Sequence, residues 1–219
     1  MGNKLFEFDK YKSKKGLIIG TDEAGRGPGA GDVYAAAVCF KDVSNNLIKK
    51  LSKLNDSKQL TEKVREELFD IITENSIYSI KAGSVQDIEK FNILEVSLAS
   101  MKNAVNEVLL NIPDNVSCHV LVDGRQLIKN YNYSQEFIIK GDSKSASIAA
   151  ASILAKVSRD RYMNQVHEEF PQYNFKQNKG YLTKEHIEAI DKYGLCPYHR
   201  QSFLKKHFEK QKQMQLQLF

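Results

Sequence analysis

Residues 16–40 read GLIIGTDEAGRGPGAGDVYAAAVCF. Gly16 to Thr21 is a short apolar run, Val33 to Phe40 is a second, and between them lie Gly25, Gly27, Pro28, Gly29 and Gly31. Two apolar runs joined by a Gly/Pro-rich turn predict an early β-hairpin. The turn carries Arg26 between two glycines. Such backbone can approach a ligand closely and offer amide donors to a phosphate or hydroxyl, although ordinary hairpin turns are also rich in glycine.

Further along the chain, Ser76 to Ala82 alternates as a third strand, and Val116 to Val122 and Glu136 to Lys140 supply a fourth and fifth. Helical spacing appears at Val64, Leu68, Ile71 and Ile72, and again at Leu94, Leu98, Met101, Val105 and Val108. The segment from Ser145 to about Glu169 is alanine-rich and nearly apolar at its start, as a helix buried between layers would be. Thr183 is positioned to cap a further helix. Three strands followed by strand–helix alternation imply a mixed sheet with helices on both faces.

Acidic residues recur at the strand ends: Asp22 and Glu23 after GLIIGT, Asp123 after HVLV, and Asp142 after FIIKG. The carboxyl ends of parallel strands share one rim, so these four side chains can converge if the strands are neighbours. Gathered carboxylates repel one another unless a cation neutralises them. Oxygen-only ligands suit Mg²⁺ or Mn²⁺, and a pair of such ions is the arrangement used for phosphodiester hydrolysis. A single Asp after a strand is commonly a turn former or N-cap; four at successive strand ends point instead to a metal site. Adjacent strand residues face opposite ways, so Asp22 and Glu23 share a site only where the strand ends or bulges.

The stretch GTDEAGRGPGAGDVYAAAV resembles the signature of prokaryotic ribonuclease HII, the type 2 ribonuclease H. Four further segments match in order: Asp56-Ser57-Lys58-Gln59-Leu60; Leu121-Val122-Asp123-Gly124; Lys140-Gly141-Asp142-Ser143 with SIAAASILAKVSRDR; and GYLTKEH with PYHRQSF. The resemblance covers residues 16 to about 203. It implies an α/β, ribonuclease H-like three-layer fold with a central mixed five-stranded sheet flanked by helices, plus a C-terminal helical segment. It also implies a two-metal site using Mg²⁺ or Mn²⁺, in which Asp22, Glu23, Asp123 and Asp142 are the catalytic and metal-binding carboxylates. By the same resemblance Gly25, Arg26 and Gly27 read a ribose 2′-hydroxyl, the feature that distinguishes RNA from DNA locally, and Tyr181 stacks on the neighbouring sugar. Lys58 is expected at a phosphate.

The sequence departs from that family at Gly29, where a bulky apolar residue is usual, at Asp32, often proline, and at Leu182, where GYLT replaces the commoner GYGT. A looser loop, an added negative charge near the site and an altered backbone path after Tyr181 are the corresponding expectations. Asp160, within Arg159-Asp160-Arg161, is a rival fourth carboxylate. It lies deep in a helix with arginines on both sides to pair with, so it reads as structural and Asp142 is preferred. His199 and Arg200 are expected to tie the C-terminal segment to the core rather than to touch nucleic acid. Lys205, Lys206 and Lys210 fit either a duplex backbone or a solvated helix face. The histidines show no zinc-helix pairing.

The 219 residues are 42% hydrophobic and 27% charged, which excludes disorder and collagen-like repeats and allows one α/β core. The expected organisation is a catalytic domain over residues 1–203 and a basic, Gln-rich tail over 204–219, which reads first as a fraying helix end and alternatively as a contact for a replication factor. A net charge of +5 permits a polyanionic partner. Cys39, Cys118 and Cys196 are scattered, which fits a reducing compartment. With no signal-like start and Phe6 where myristoylation wants Ser or Thr, a cytoplasmic monomer without membrane association is expected. The function expected is an endoribonuclease acting on RNA–DNA hybrids and on ribonucleotide-containing duplex DNA. The resemblance implies cutting 5′ of the ribonucleotide to leave 5′-phosphate and 3′-hydroxyl ends. The alternatives are a ribonuclease HIII-like hybrid nuclease, which normally carries an extra N-terminal domain and a different glycine loop, and an inert hybrid-binding module.

Overall fold

The computed structural model describes residues 4–216. Five strands, β1 (Leu17–Ala24), β2 (Val33–Phe40), β3 (Ser76–Gly83), β4 (Cys118–Asp123) and β5 (Ser134–Ile138), form one sheet in the order β3-β2-β1-β4-β5. β2 pairs antiparallel with β1 and with β3, while β1 with β4 and β4 with β5 are parallel. The early hairpin is β1–β2, and the mixed sheet is as expected.

β5 sits two residues earlier than the sequence reading placed it, at Ser134–Ile138 rather than Glu136–Lys140, and β4 is Cys118–Asp123 rather than Val116–Val122; the boundary of consequence for the site is that of β1. β1 runs past Thr21 to Ala24, so Asp22 and Glu23 lie inside the strand, opposite Ala36 and Ala35 of β2. On its other edge, the parallel ladder to β4 stops at Thr21 and Val122. Both acids therefore stand beyond the parallel ladder, at the rim.

The helices are α1 (Lys4–Lys12), α2 (Asn45–Lys50), α3 (Glu62–Asn75), α4 (Val85–Phe91), α5 (Ile93–Leu109), α6 (Ala146–Glu169), α7 (Phe175–Asn178), α8 (Lys184–Tyr193) and α9 (Gln201–Leu216). The alanines of β2 alternate between two buried faces. Ala36 and Val38 join the core with Ala149, Ala150 and Leu154 of α6 and Leu68 and Ile72 of α3. Ala35, Ala37 and Cys39 face Leu98, Met101 and Val105 of α5. α6 lies close against the sheet because Gly20 has no side chain: a Cβ there would stand 2.3 Å from the backbone nitrogen of Ile148. The start of α6 is capped twice. Ser145 Oγ accepts from the Ile148 amide at 3.2 Å, and Asp9 of α1 accepts from the Ser147 amide and hydroxyl at 2.8 and 2.7 Å.

A third cluster, containing Ala30, Met163, Tyr173, Phe175, Ile190 and Leu204, packs the C-terminal helices on the outer half of α6. α9 is unbroken across position 204. Lys205 and Lys206 are exposed on it, and Lys210 lies outside the residues whose side chains are described. Among the described residues no helix is long and apolar enough to cross a membrane.

Candidate active site

The sheet order puts the C-terminal ends of β1, β4 and β5 side by side, and the acids of all three meet there. Asp22, Glu23, Asp123 and Asp142 line one cavity of about 440 Å³, together with Gly25, Arg26, Gly27, Lys58 and Tyr181. All nine site residues preferred from the sequence border this space, and the rival Asp160 does not. A roomier cavity of about 520 Å³ lies at the other end of β1, walled by Phe6, Leu17, Ile18, Phe40 and Ile48. Its buried acid, Asp9, is already engaged by the start of α6.

Each acid is positioned differently. Asp22 is 5% exposed and points toward α6, where it bonds the Ser152 hydroxyl. Ser152 in turn meets the hydroxyl of Ser57 at 3.0 Å. Glu23 takes the opposite face and also borders a smaller space beside Leu94, Ser97 and Leu98 of α5; its Oε1 is 3.2 Å from Arg26 Nη1. Alternation thus holds, and the two acids share the cavity because both stand at its rim. Asp123 Oδ1 accepts from the Gly141 amide at 2.6 Å, which fixes the turn carrying Asp142.

Burial, followed by the charges of Glu23 and Asp123, raises the proton affinity of Asp22 well above the ordinary carboxylate range. Glu23 is raised by burial against the opposing charge of Arg26, and Asp123 by burial against backbone donors led by the Gly141 amide. Asp142 is raised by burial and by the charges of Asp123 and Asp56. The charge of Lys58, a wall residue of the same cavity, opposes the rise at Glu23, Asp123 and Asp142. Asp22, Asp123 and Asp142 form no salt bridge among the described residues. Basic side chains also line the cavity, Arg26 and Lys58 among them, but three of the four acids have no such partner, and oxygen donors of raised proton affinity are a set that suits a hard divalent cation. They line a shared cavity without closing around one point: among the described residues no three Asp, Glu, His or Cys side chains stand close enough together to hold a metal ion as they are placed.

Several expectations change. Asp160 does not pair with its flanking arginines; its partners are Lys156 at 2.6 Å and Arg65 at 3.7 Å, and it is absent from the cavity wall. Arg159 instead donates to the carbonyls of Ala30, Asp32 and Lys179. Asp32 adds no charge to the acid cluster. It accepts from the Val85 amide at 3.0 Å and faces Tyr162, Arg200 and Arg159. The glycine loop is pinned rather than loosened: the Gly29 amide donates to Gly180 at 2.9 Å, and its carbonyl accepts from the Arg200 amide at 2.8 Å. The two departures at 29 and 182 fit each other, because a Cβ on Gly29 would lie 2.6 Å from the Leu182 side chain. Sequence reading missed Ser57, Ser152, Arg65, Lys156 and Arg159 in the wall. The spacing of Ser152, Lys156 and Arg159 along one face of a helix that is apolar over its first turns was the available signal.

A mixed five-stranded sheet in this order, flanked by helices on both faces with acids at the rim, is the ribonuclease H-like fold. Among solved structures, ribonuclease HII of Archaeoglobus fulgidus, determined in complex with PCNA, superimposes with a TM-score of 0.65 at 24% identity over 84% of this chain and 93% of that one. Bst-RNase HIII in complex with Mn²⁺ superimposes with a TM-score of 0.63 at 19% identity, over 83% of this chain and 64% of that one. The family model for Ribonuclease HII matches residues 19–211. The ribonuclease HII of Fusobacterium nucleatum is 46% identical over 211 residues, 95% of this chain and 94% of the relative. The chain belongs to the ribonuclease HII family and is a ribonuclease H enzyme.

Proposed function

We propose that this enzyme hydrolyses the RNA strand of RNA–DNA hybrids and also incises duplex DNA 5′ of a single embedded ribonucleotide, leaving 5′-phosphate and 3′-hydroxyl ends. The observation that carries the reading is the meeting of Asp22, Glu23, Asp123 and Asp142 in one cavity beside the Arg26 loop and Tyr181. Without a cation, four acids facing a polyanion would oppose its binding.

In this reading Asp22, Glu23, Asp123 and Asp142 hold two divalent ions, Mg²⁺ or Mn²⁺. When bound, the ions supply an activated water and charge stabilisation for phosphodiester hydrolysis. The protein's own groups set the register of the substrate. Gly25, Arg26 and Gly27 present the loop at which the 2′-hydroxyl is read, with Arg26 held by Glu23. Tyr181, 51% exposed, offers its ring to the adjoining sugar. Lys58, exposed in the same cavity wall as the acids, meets a substrate phosphate and moderates their repulsion. The Ser57–Ser152–Asp22 chain fixes the most buried acid, and the Gly141 amide holds Asp123 beside Asp142. No side chain need form a covalent intermediate. The enzyme acts as a cytoplasmic monomer, and within the 204–219 tail the exposed Lys205 and Lys206, not the buried Leu204, face a replication factor.

The test is a labelled DNA duplex carrying one ribonucleotide. Incision immediately 5′ of that nucleotide with Mg²⁺ or Mn²⁺, and none in EDTA, is expected. Binding that strengthens in EDTA with no cleavage under any divalent ion would replace the nuclease reading with an inert binding module.

A further inference from the structure

The turn Cys196–Arg200 lies between the two elements proposed to read the sugar and bonds to both. Arg200 is fully buried. Its Nη1 donates to Pro28 at 2.8 Å, its Nε and Nη2 to Gly31 at 2.8 and 2.6 Å, and its Nη1 also reaches Arg26 at 3.4 Å. One planar guanidinium thus gathers three carbonyls of the glycine loop, a fork that a lysine ammonium does not reproduce. The preceding residue reaches the other way. His199 Nε2 lies 3.0 Å from His186 Nε2, and His186 Nδ1 lies 2.8 Å from the Tyr181 carbonyl.

The protons in this chain are assigned by the acceptors. The Tyr181 carbonyl can only accept, so His186 carries a proton on Nδ1; burial lowers the proton affinity of this ring, so it is neutral and its Nε2 is bare. His199 Nε2 must then donate, which leaves His199 Nδ1 bare. There it receives the Cys196 amide at 2.9 Å, the shorter of its two contacts with that residue, the Cys196 carbonyl oxygen lying 3.3 Å away. Every link runs one way, from the 196–200 turn to the backbone of Tyr181, and both rings are neutral. Tyr173 and Phe175 enclose the pair with their rings. The gap between the two elements held in this way is one atom wide: a Cβ on Gly27 would rest 3.4 Å from the Tyr181 ring.

We propose that His186, His199 and Arg200 are positioning residues that set the width of the sugar-reading gap between Gly27 and Tyr181. Arg200 holds the loop side, and the His199–His186 chain holds the tyrosine side. The inference rests on the ribonucleotide reading proposed above.

Two measurements on the full chain test it. Long-range ¹⁵N correlation spectra of the imidazoles should show His199 protonated at Nε2 and His186 at Nδ1; the opposite tautomers would overturn the inference whatever the enzyme cleaves. The second compares His199→Asn with His199→Gln. The asparagine oxygen can still accept from the Cys196 amide but has no group reaching His186. The glutamine amide reaches His186 as a donor but leaves the Cys196 amide unmet. With the single-ribonucleotide duplex, His199→Asn should raise KM roughly tenfold with kcat within about twofold, and His199→Gln should recover most of that loss. A merely structural role for His199 predicts no such split, and equal KM values for wild type and His199→Asn would refute the proposal. A wild-type enzyme that fails to incise the duplex would refute the ribonucleotide reading instead, leaving the tautomers to decide the hydrogen-bond chain.

Discussion

Replacing Gly20 by Ala puts a methyl group between β1 and α6 where none fits. The new Cβ would lie 2.3 Å from the backbone nitrogen of Ile148 and 2.3 Å from the carbonyl carbon of Ser147. Ordinary carbon contacts begin near ~3.5 Å, so the start of α6 must retreat by about 1 Å. Both obstructing atoms are backbone, and no rotamer change relieves them. The cost belongs at the upper end of overpacking, about 3 kcal/mol, or roughly 10 °C in Tm for a domain of this size. The same retreat draws Ser147 from Asp9 and Ser152 from Asp22, and a misplacement of about 1 Å near reacting groups costs on the order of 100-fold in rate. Denaturant melts with single-turnover incision of a ribonucleotide-containing duplex measure both effects. A Gly20→Ala protein that melts with the wild type and cleaves at its rate would refute the claim that close sheet–helix contact positions the acids.

Asp142→Asn should lower turnover by roughly 100-fold or more, whereas Asp160→Asn, which only loses Lys156 and Arg65, should keep turnover and lose about 2 kcal/mol of stability; the reverse pattern in paired kinetics and melts would exchange their roles. Asp22 holds its proton more tightly in the fold than in the unfolded chain, so its ionisation costs stability as pH rises above the ordinary carboxylate range. Asp22→Asn should therefore melt higher than wild type at pH 7 in EDTA while losing activity, and a lower Tm would contradict the electrostatic account. Burial, then the neighbouring His186, pushes His199 down to about 4 from 6.5, so the unfolded chain takes up a proton first and this residue's contribution, about 3 kcal/mol, is lost as pH falls from 6.5 toward 4. The fall in stability over that range should be shallower in His199→Asn, and identical slopes would contradict it.

The fold was readable where one pattern dominated. Residues 16–40 gave the hairpin, and the 3.6-residue spacing at Leu94 to Val108 gave α5. α1 escaped because its lysines obscure the apolar face, and its role depends on Asp9 reaching residues 145–147, a contact across some 136 positions. The acids were legible because strand ends mark themselves in sequence and parallel order gathers them. That β1 continues through Glu23 was not legible, since its pairing with Ala35 and Ala36 is set by the partner strand. The His186–His199 chain left no local trace, because only packing around Tyr173 and Phe175 brings the rings together. Gly29 and Leu182 looked like separate departures, yet one side chain occupies the space left by the other's absence.

Catalysis by the rim acids requires that they bind divalent cations. Titration of the metal-free protein with Mn²⁺, followed by calorimetry and by the loss of the free-ion electron paramagnetic resonance signal, counts the ions bound. Two ions per chain in the wild type, with at least one lost in Asp123→Asn, is the predicted result. Binding that is unchanged in Asp22→Asn and Asp123→Asn, or no binding at millimolar Mn²⁺ with or without a hybrid duplex, would contradict it.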